Sequence, residues 1–126
     1  MSTFLSQRQE QTYAALRIVS GFLFFWHGCQ KIFGFPAPAP EMPAVVLYAA
    51  GGIELVAGAM IALGWFTRGA AFLSSGLMAA AYWMAHGLQH PLPLINHGEL
   101  AALYCFVFLF IATRGAGIWS LDGPSD

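Results

Sequence analysis

The chain has 126 residues, of which 58% are hydrophobic and 9% charged, and its formal net charge is −1. A soluble domain carries roughly 25% charged residues, and a small globule has too much surface to cover with so few, so the apolar faces are expected to meet lipid. No basic cluster or stripe supports nucleic-acid binding.

The first ten residues are polar and read as a surface segment ahead of the first span. A membrane helix takes about 20 mostly apolar residues, and four segments qualify: 13–33, 44–66, 68–87 and 99–114. The first outruns the apolar core of a signal peptide, carries His27 and Lys31 late, and has no small-residue cleavage site after it, so it is expected to be retained. GFPAPAPEMP follows, and its four prolines cannot be helical throughout. WFTRG turns the second span into the third, and HPLPLINHG joins the third to the fourth. The tail GAGIWSLDGPSD is too polar and broken to span.

Short connections make neighbouring helices antiparallel. The expected fold is therefore all-α, a transmembrane antiparallel four-helix bundle in one domain over 1–126. Long runs without alternation argue against a β-barrel. Arg8, Arg17, Arg68 and Arg114 fall on the side of both termini and Lys31 alone on the other, which places both termini in the cytoplasm.

His27 and Lys31 are four apart and share a helix face, which Arg17, Ser20, Phe24 and Gly28 continue. Glu54 lies about 15 Å along the second span at 1.5 Å per residue, near the bilayer middle. The third span delivers His86 near its outer end, Glu99 opens the fourth, and His90, Asn96 and His97 lie in the outer loop. A charge at the bilayer centre costs about 2.5–3.5 kcal/mol on insertion scales, and a shared polar interior reduces that cost. A polar cavity open to the outer face is expected, lined by His27, Lys31, Glu54, His86 and Glu99, with the two acids serving Lys31 and the histidines. Glu54 has a second way out, by taking up a proton.

Plainer readings compete. Lys31 can snorkel to headgroups, Glu99 can be a helix-start acid, and Glu54 can form a structural pair with a histidine. Ala71, Ser75 and Ala79, like Gly51 and Gly58, read as small-residue packing stripes. His86 and His90 are four apart and His97 precedes Glu99 by two, spacings that metal ligands use, but Gly87 and Pro91 interrupt the helix there and no metal is expected. Cys29 and Cys105 form no CxxC and are expected as free thiols. No phosphate loop, nucleotide fingerprint or haem motif is present.

Several of these residues fall into one order along the chain. Arg17 comes first, with the HGCQK stretch of His27, Gly28 and Lys31. GGIELVAGAMIALGWFTRGAA follows, with Glu54, Gly58, Gly64, Thr67 and Arg68; then Met78, a last helix led by Glu99, and the closing GAGIWSLD with Asp122. This layout resembles the DoxX family of small four-helix membrane proteins over nearly the whole chain. The resemblance implies a multi-pass protein of the bacterial or archaeal cytoplasmic (inner) membrane. It maps the family's polar positions onto Arg17, His27, Lys31, Glu54, Arg68, Glu99 and Asp122, of which Arg17, Arg68 and Asp122 read as structural; His86, His90 and His97 fall outside it.

The family includes relatives of the membrane subunits of thiosulfate–quinone oxidoreductase and others tied to redox stress. A quinone-linked redox subunit is thus one expectation. Quinone would be its cofactor, His27 and Lys31 its donors, Glu54 or Glu99 its proton relay, and another redox or membrane subunit its electron source. The alternative is a non-enzymatic scaffold or small-ligand-binding accessory subunit, in which the buried polar groups set helix register; a homo-oligomer fits either. A transporter would show internal repeats or broken helices, and none stands out.

Overall fold

A computed structural model of the chain describes residues 2–124. Among them every regular element is helical: α1 (Ser2–Ser6), α2 (Gln9–Phe33), α3 (Ala44–Leu63), α4 (Thr67–Tyr82), a π turn (Trp83–Gly87), α5 (Pro93–Asn96) and α6 (Glu99–Arg114).

Local chemistry sets the ends of these helices. α2 begins ahead of residue 13, because Gln9, Glu10 and Gln11 are good helix formers. It stops at Gly34, whose φ of +64° an L side chain rarely adopts and whose N–H bonds the Gln30 carbonyl. α3 ends at Leu63 instead of reaching residue 66, since Gly64 turns left-handed at φ +70°. The third apolar run is α-helical only to Tyr82 and then widens into the π turn up to Gly87. The loop after it holds the short α5, behind the pre-organising Pro93.

α2 and α3 form the most intimate pair, followed by α4 and α6. A side chain at Gly58 would stand 2.6 Å from the Phe25 backbone nitrogen, and one at Gly28 would meet the Leu55 backbone, so only glycine permits this approach. Ala71 and Ser75 face α6, where the Ser75 hydroxyl donates to the Cys105 carbonyl at 2.7 Å. Phe24, Ile61, Phe108 and Ile111 are fully buried at the centre, and the rings of Phe108 and Tyr104 stack at 5.3 Å. Both cysteines are free thiols.

The outside is apolar on every long helix: Val19 and Phe22 on α2, Val45 and Val56 on α3, Phe72 on α4, and Leu103 and Phe106 on α6 are all more than half exposed. Soluble monomers rarely show apolar surface of that extent. Among the described residues only α3 combines the length and apolarity of a membrane crossing. The expectation of four comparable spans is met there alone: α4 and α6 have 16 residues each, and α2 carries charges along its 25.

The end where α2 begins and α6 stops is closed by a polar network. Arg17 is fully buried. Its guanidinium donates to the carbonyls of Ile61 (3.1 Å), Ile118 (3.0 Å), Trp119 (2.6 Å) and Ala116. The tail then returns hydrogen bonds to the open end of α3, from Leu121 N–H to the Leu63 carbonyl and from Asp122 N–H to the Gly64 carbonyl. Phe66 precedes α4 and has no side chain able to cap it, and Asp122 supplies the cap from the tail. Its carboxylate accepts from Phe66 N–H and Thr67 N–H, both at 2.9 Å, and from the Thr67 hydroxyl at 2.7 Å. Arg68 donates to the last carbonyls of α6, Ala112, Thr113 and Arg114. Arg17, Arg68 and Asp122 thus close three helix ends whose backbone groups would otherwise lack partners.

Two predictions follow from this network. Replacing Arg17 with alanine strands four carbonyls and is expected to cost about 3 kcal/mol or more, with the tail becoming a site of proteolytic cleavage. Arg17→Lys should recover only part, because a single ammonium cannot reproduce the planar fork; thermal unfolding and limited proteolysis in detergent check both, and wild-type stability in the lysine variant would refute the assignment. Burial pushes the Asp122 carboxyl up, but the hydrogen bonds from Thr67 and Phe66 outweigh it and hold its pKa below the ordinary 3.8. A depressed carboxyl contributes stability that is present above its unfolded pKa and lost as pH falls through the folded one. The stability gap between wild type and Asp122→Asn should therefore be full near neutrality and shrink below about pH 4; melting curves across that range measure it.

Candidate functional site

The opposite end of the molecule is built around one ion pair. Helical spacing puts Lys31 in the last turns of α2 and Glu54 midway along α3, and the glycine contact brings the two helices close enough for them to meet. The Lys31 ammonium donates to Glu54 Oε1 at 3.0 Å and to Oε2 at 2.8 Å. The side chains are 12% and 4% exposed, so the pair is withdrawn from solvent. Glu54 pairs with the lysine and not with a histidine.

A cavity of about 340 Å³ opens beside this pair. Lys31, Glu54 and His27 line it from α2 and α3, His86 from the π turn, and His97 and Tyr104 from the far side. Met42, Val46, Leu77, Met78 and Met84 make the rest of the wall mostly apolar. His27 stands edge-on to Tyr104 with ring centroids 6.1 Å apart and makes no hydrogen bond among the described residues. The His86 Nδ1 donates to the Asn96 carbonyl at 2.9 Å; a carbonyl only accepts, so Nδ1 carries the proton. Four of the five residues expected to share a pocket do so. Glu99 does not: it sits exposed in the first turn of α6, where its charge suits the helix dipole.

Sequence reasoning left three residues out of the site. Tyr104 reads as core because it is an aromatic in an apolar helix. His97 reads as loop, and its entry into the cavity depends on a left-handed φ of +63°. Asn96 is 2% exposed and ties the outer loop together, its amide donating to Tyr82 Oη and the His90 carbonyl while its Oδ1 accepts from Gly98 N–H. Its position before Gly98 is a turn signal of the Asx type that could have marked it. His90 stays in the loop, accepting from Leu92 N–H. Among the described residues no group of three or more His, Cys, Asp or Glu side chains is placed to hold a metal ion.

Removing one partner of a buried pair strands the other charge, at a cost of about 3–5 kcal/mol, whereas apolar replacement of both is often near neutral. Glu54→Leu should therefore be strongly destabilising, and adding Lys31→Met should restore most of the loss. A double-mutant cycle by thermal unfolding tests this, and additive losses would show that the two side chains do not interact.

Comparison with known proteins bears on the same residues. The family model described as DoxX matches residues 12–87, which include Arg17, His27, Lys31, Glu54 and His86. A protein of Haemophilus influenzae described as uncharacterized is 40% identical over 116 residues, which covers 86% of this chain and 87% of that protein. No solved structure matches.

Proposed function

The chain belongs to the DoxX family, and from that premise we propose a quinone-linked redox subunit of the bacterial cytoplasmic membrane, built as four antiparallel spans with both termini in the cytoplasm. Family membership supports a membrane protein, and the apolar exterior of all four long helices supports burial in lipid. The basic residues favour the stated orientation, with the Arg17 network inside and the cavity toward the outer face.

One observation carries the quinone reading. An ammonium has three N–H donors, Glu54 takes two of them, and the third is left for a ligand oxygen in a cavity whose wall is mostly apolar. A ring with two carbonyl oxygens needs donors of that kind. Its size fits as well, since about 340 Å³ lies at the small end of the roughly 300–1,000 Å³ that ligand pockets occupy. A quinone, when bound, supplies a couple that takes up electrons and protons together. This chain's residues would do the rest. Lys31 Nζ and the His27 ring would orient the oxygens, Glu54 would hold and pass a proton at Oε2, and the methionine-rich wall would exclude water. Electrons would come from another membrane or redox subunit.

The saturated geometry of the pair favours a second reading. Both Glu54 oxygens are already held by Lys31, as expected if the pair's role is to fix the register of α2 on α3 in a scaffold or accessory protein. One experiment separates the two readings. Organic extracts of the purified protein are scanned in the ultraviolet before and after borohydride. A bleachable quinone band is expected with the wild type, and its loss is expected in His27→Ala and Glu54→Gln variants that keep their helical content. A wild-type extract without quinone, after growth and purification in native lipid, would favour the scaffold.

A further inference from the structure

The cavity beside Lys31 is too small for a ligand with a long chain, and it has a neighbour. A second cavity of about 350 Å³ lies along α2 and the proline-rich loop, and the two share His27, Leu100 and Tyr104 as a common wall. The second cavity is lined otherwise by Leu23, Trp26, Gln30, Pro36 and Ala37. Its one amide is engaged elsewhere, because Gln30 Nε2 donates to the Pro38 carbonyl at 2.9 Å and thereby holds the loop across the cavity. It is thus an apolar chamber on the outer side of the α2–α6 seam, where the two helices meet through side chains such as Phe24 and Tyr104, ring centroids 5.4 Å apart. Leu23 and Leu100 are each about half exposed at its rim.

We infer that the two cavities form one site for an amphiphile, with the polar head beside Lys31 and Glu54 and the apolar chain in the chamber under the 34–43 loop, the two joining when the His27 ring turns away from its edge-on contact with Tyr104. The site thereby takes its ligand sideways from the bilayer and selects ligands that carry a chain. This rests on the quinone reading above for the identity of the head. The wall of three shared residues, with a polar cavity on one side and an apolar chamber on the other, sets the direction in which the ligand lies.

The test uses the full chain in detergent micelles and two probes, a methoxy-substituted benzoquinone without a side chain and the same ring bearing a decyl chain. Leu23→Trp and Ala37→Phe fill the second chamber from exposed positions, where folding is not at stake. Binding is measured by equilibrium dialysis, and micelle partitioning cancels in the variant-to-wild-type ratio for each probe. Both variants should weaken the decyl probe about tenfold more than the bare ring, the equivalent of roughly two buried methylene groups. Equal weakening of the two probes, or none, would overturn the chain site while leaving the quinone reading in place. Failure of the wild type to bind either probe would overturn both.

Discussion

The structure depends on how closely α2 and α3 approach one another. Gly28 and Gly58 let the two backbones touch, and a methyl group at either position would collide with main-chain atoms of the partner helix. That distance places Lys31 Nζ at 2.8 Å from Glu54. Coulomb attraction grows steeply as separation and dielectric fall, so a small parting of the helices would leave two isolated charges in an apolar interior. Glycine packing and the ion pair therefore depend on each other. Each would be destabilising alone, the glycines through backbone entropy and the charges through desolvation.

The two ends of the molecule use polar groups in opposite ways. At the tail end the donors are spent on the protein. Arg17 donates to four carbonyls, Arg68 to three, and Asp122 accepts from three donors. Such a network rigidifies the structure and meets most of its hydrogen-bonding capacity within the protein. At the loop end Lys31 keeps a donor, His27 has no partner among the described residues, and Tyr104 and His97 look into space. Unused hydrogen-bonding capacity facing a cavity is the physical difference between a structural cluster and a binding site, and it is why the reading of function rests on the loop end.

Much of this was legible in the residues themselves. An acid in the middle of an apolar helix has few explanations, but helical rise sets Glu54 near the bilayer middle and Lys31 near the outer end of its span, so the pairing of the two was not legible. The small-residue pattern of Gly51, Gly58, Ala71, Ser75 and Ala79 pointed to close helix contacts; Gly51, Gly58, Ala71 and Ser75 are closely packed, and Ala79 is only partly buried. The position of Glu99 was not legible. A first-turn acid fits either the cavity or the surface, and which one it meets depends on how α5 sets the entry of α6. Nor could most of the partners of Arg17 be read, because three of the four are carbonyls about a hundred residues away in a tail with no periodic pattern. The helix ends moved where single residues overrode the hydropathy run, as at Gly64, or where the π turn widened the helix after Tyr82.

The most direct measurement of the central claim is solid-state NMR on the protein in lipid bilayers, with nitrogen label on lysine and carbon label on glutamate. Lys31 is the only lysine, so its ammonium resonance is unambiguous. The account predicts a strong dipolar cross-peak from Lys31 Nζ to the carboxyl carbon of one glutamate, abolished in Glu54→Gln, and a shift of the ammonium resonance when a quinone is added. A Lys31 signal that couples only to water or lipid, and does not respond to quinone, would contradict it.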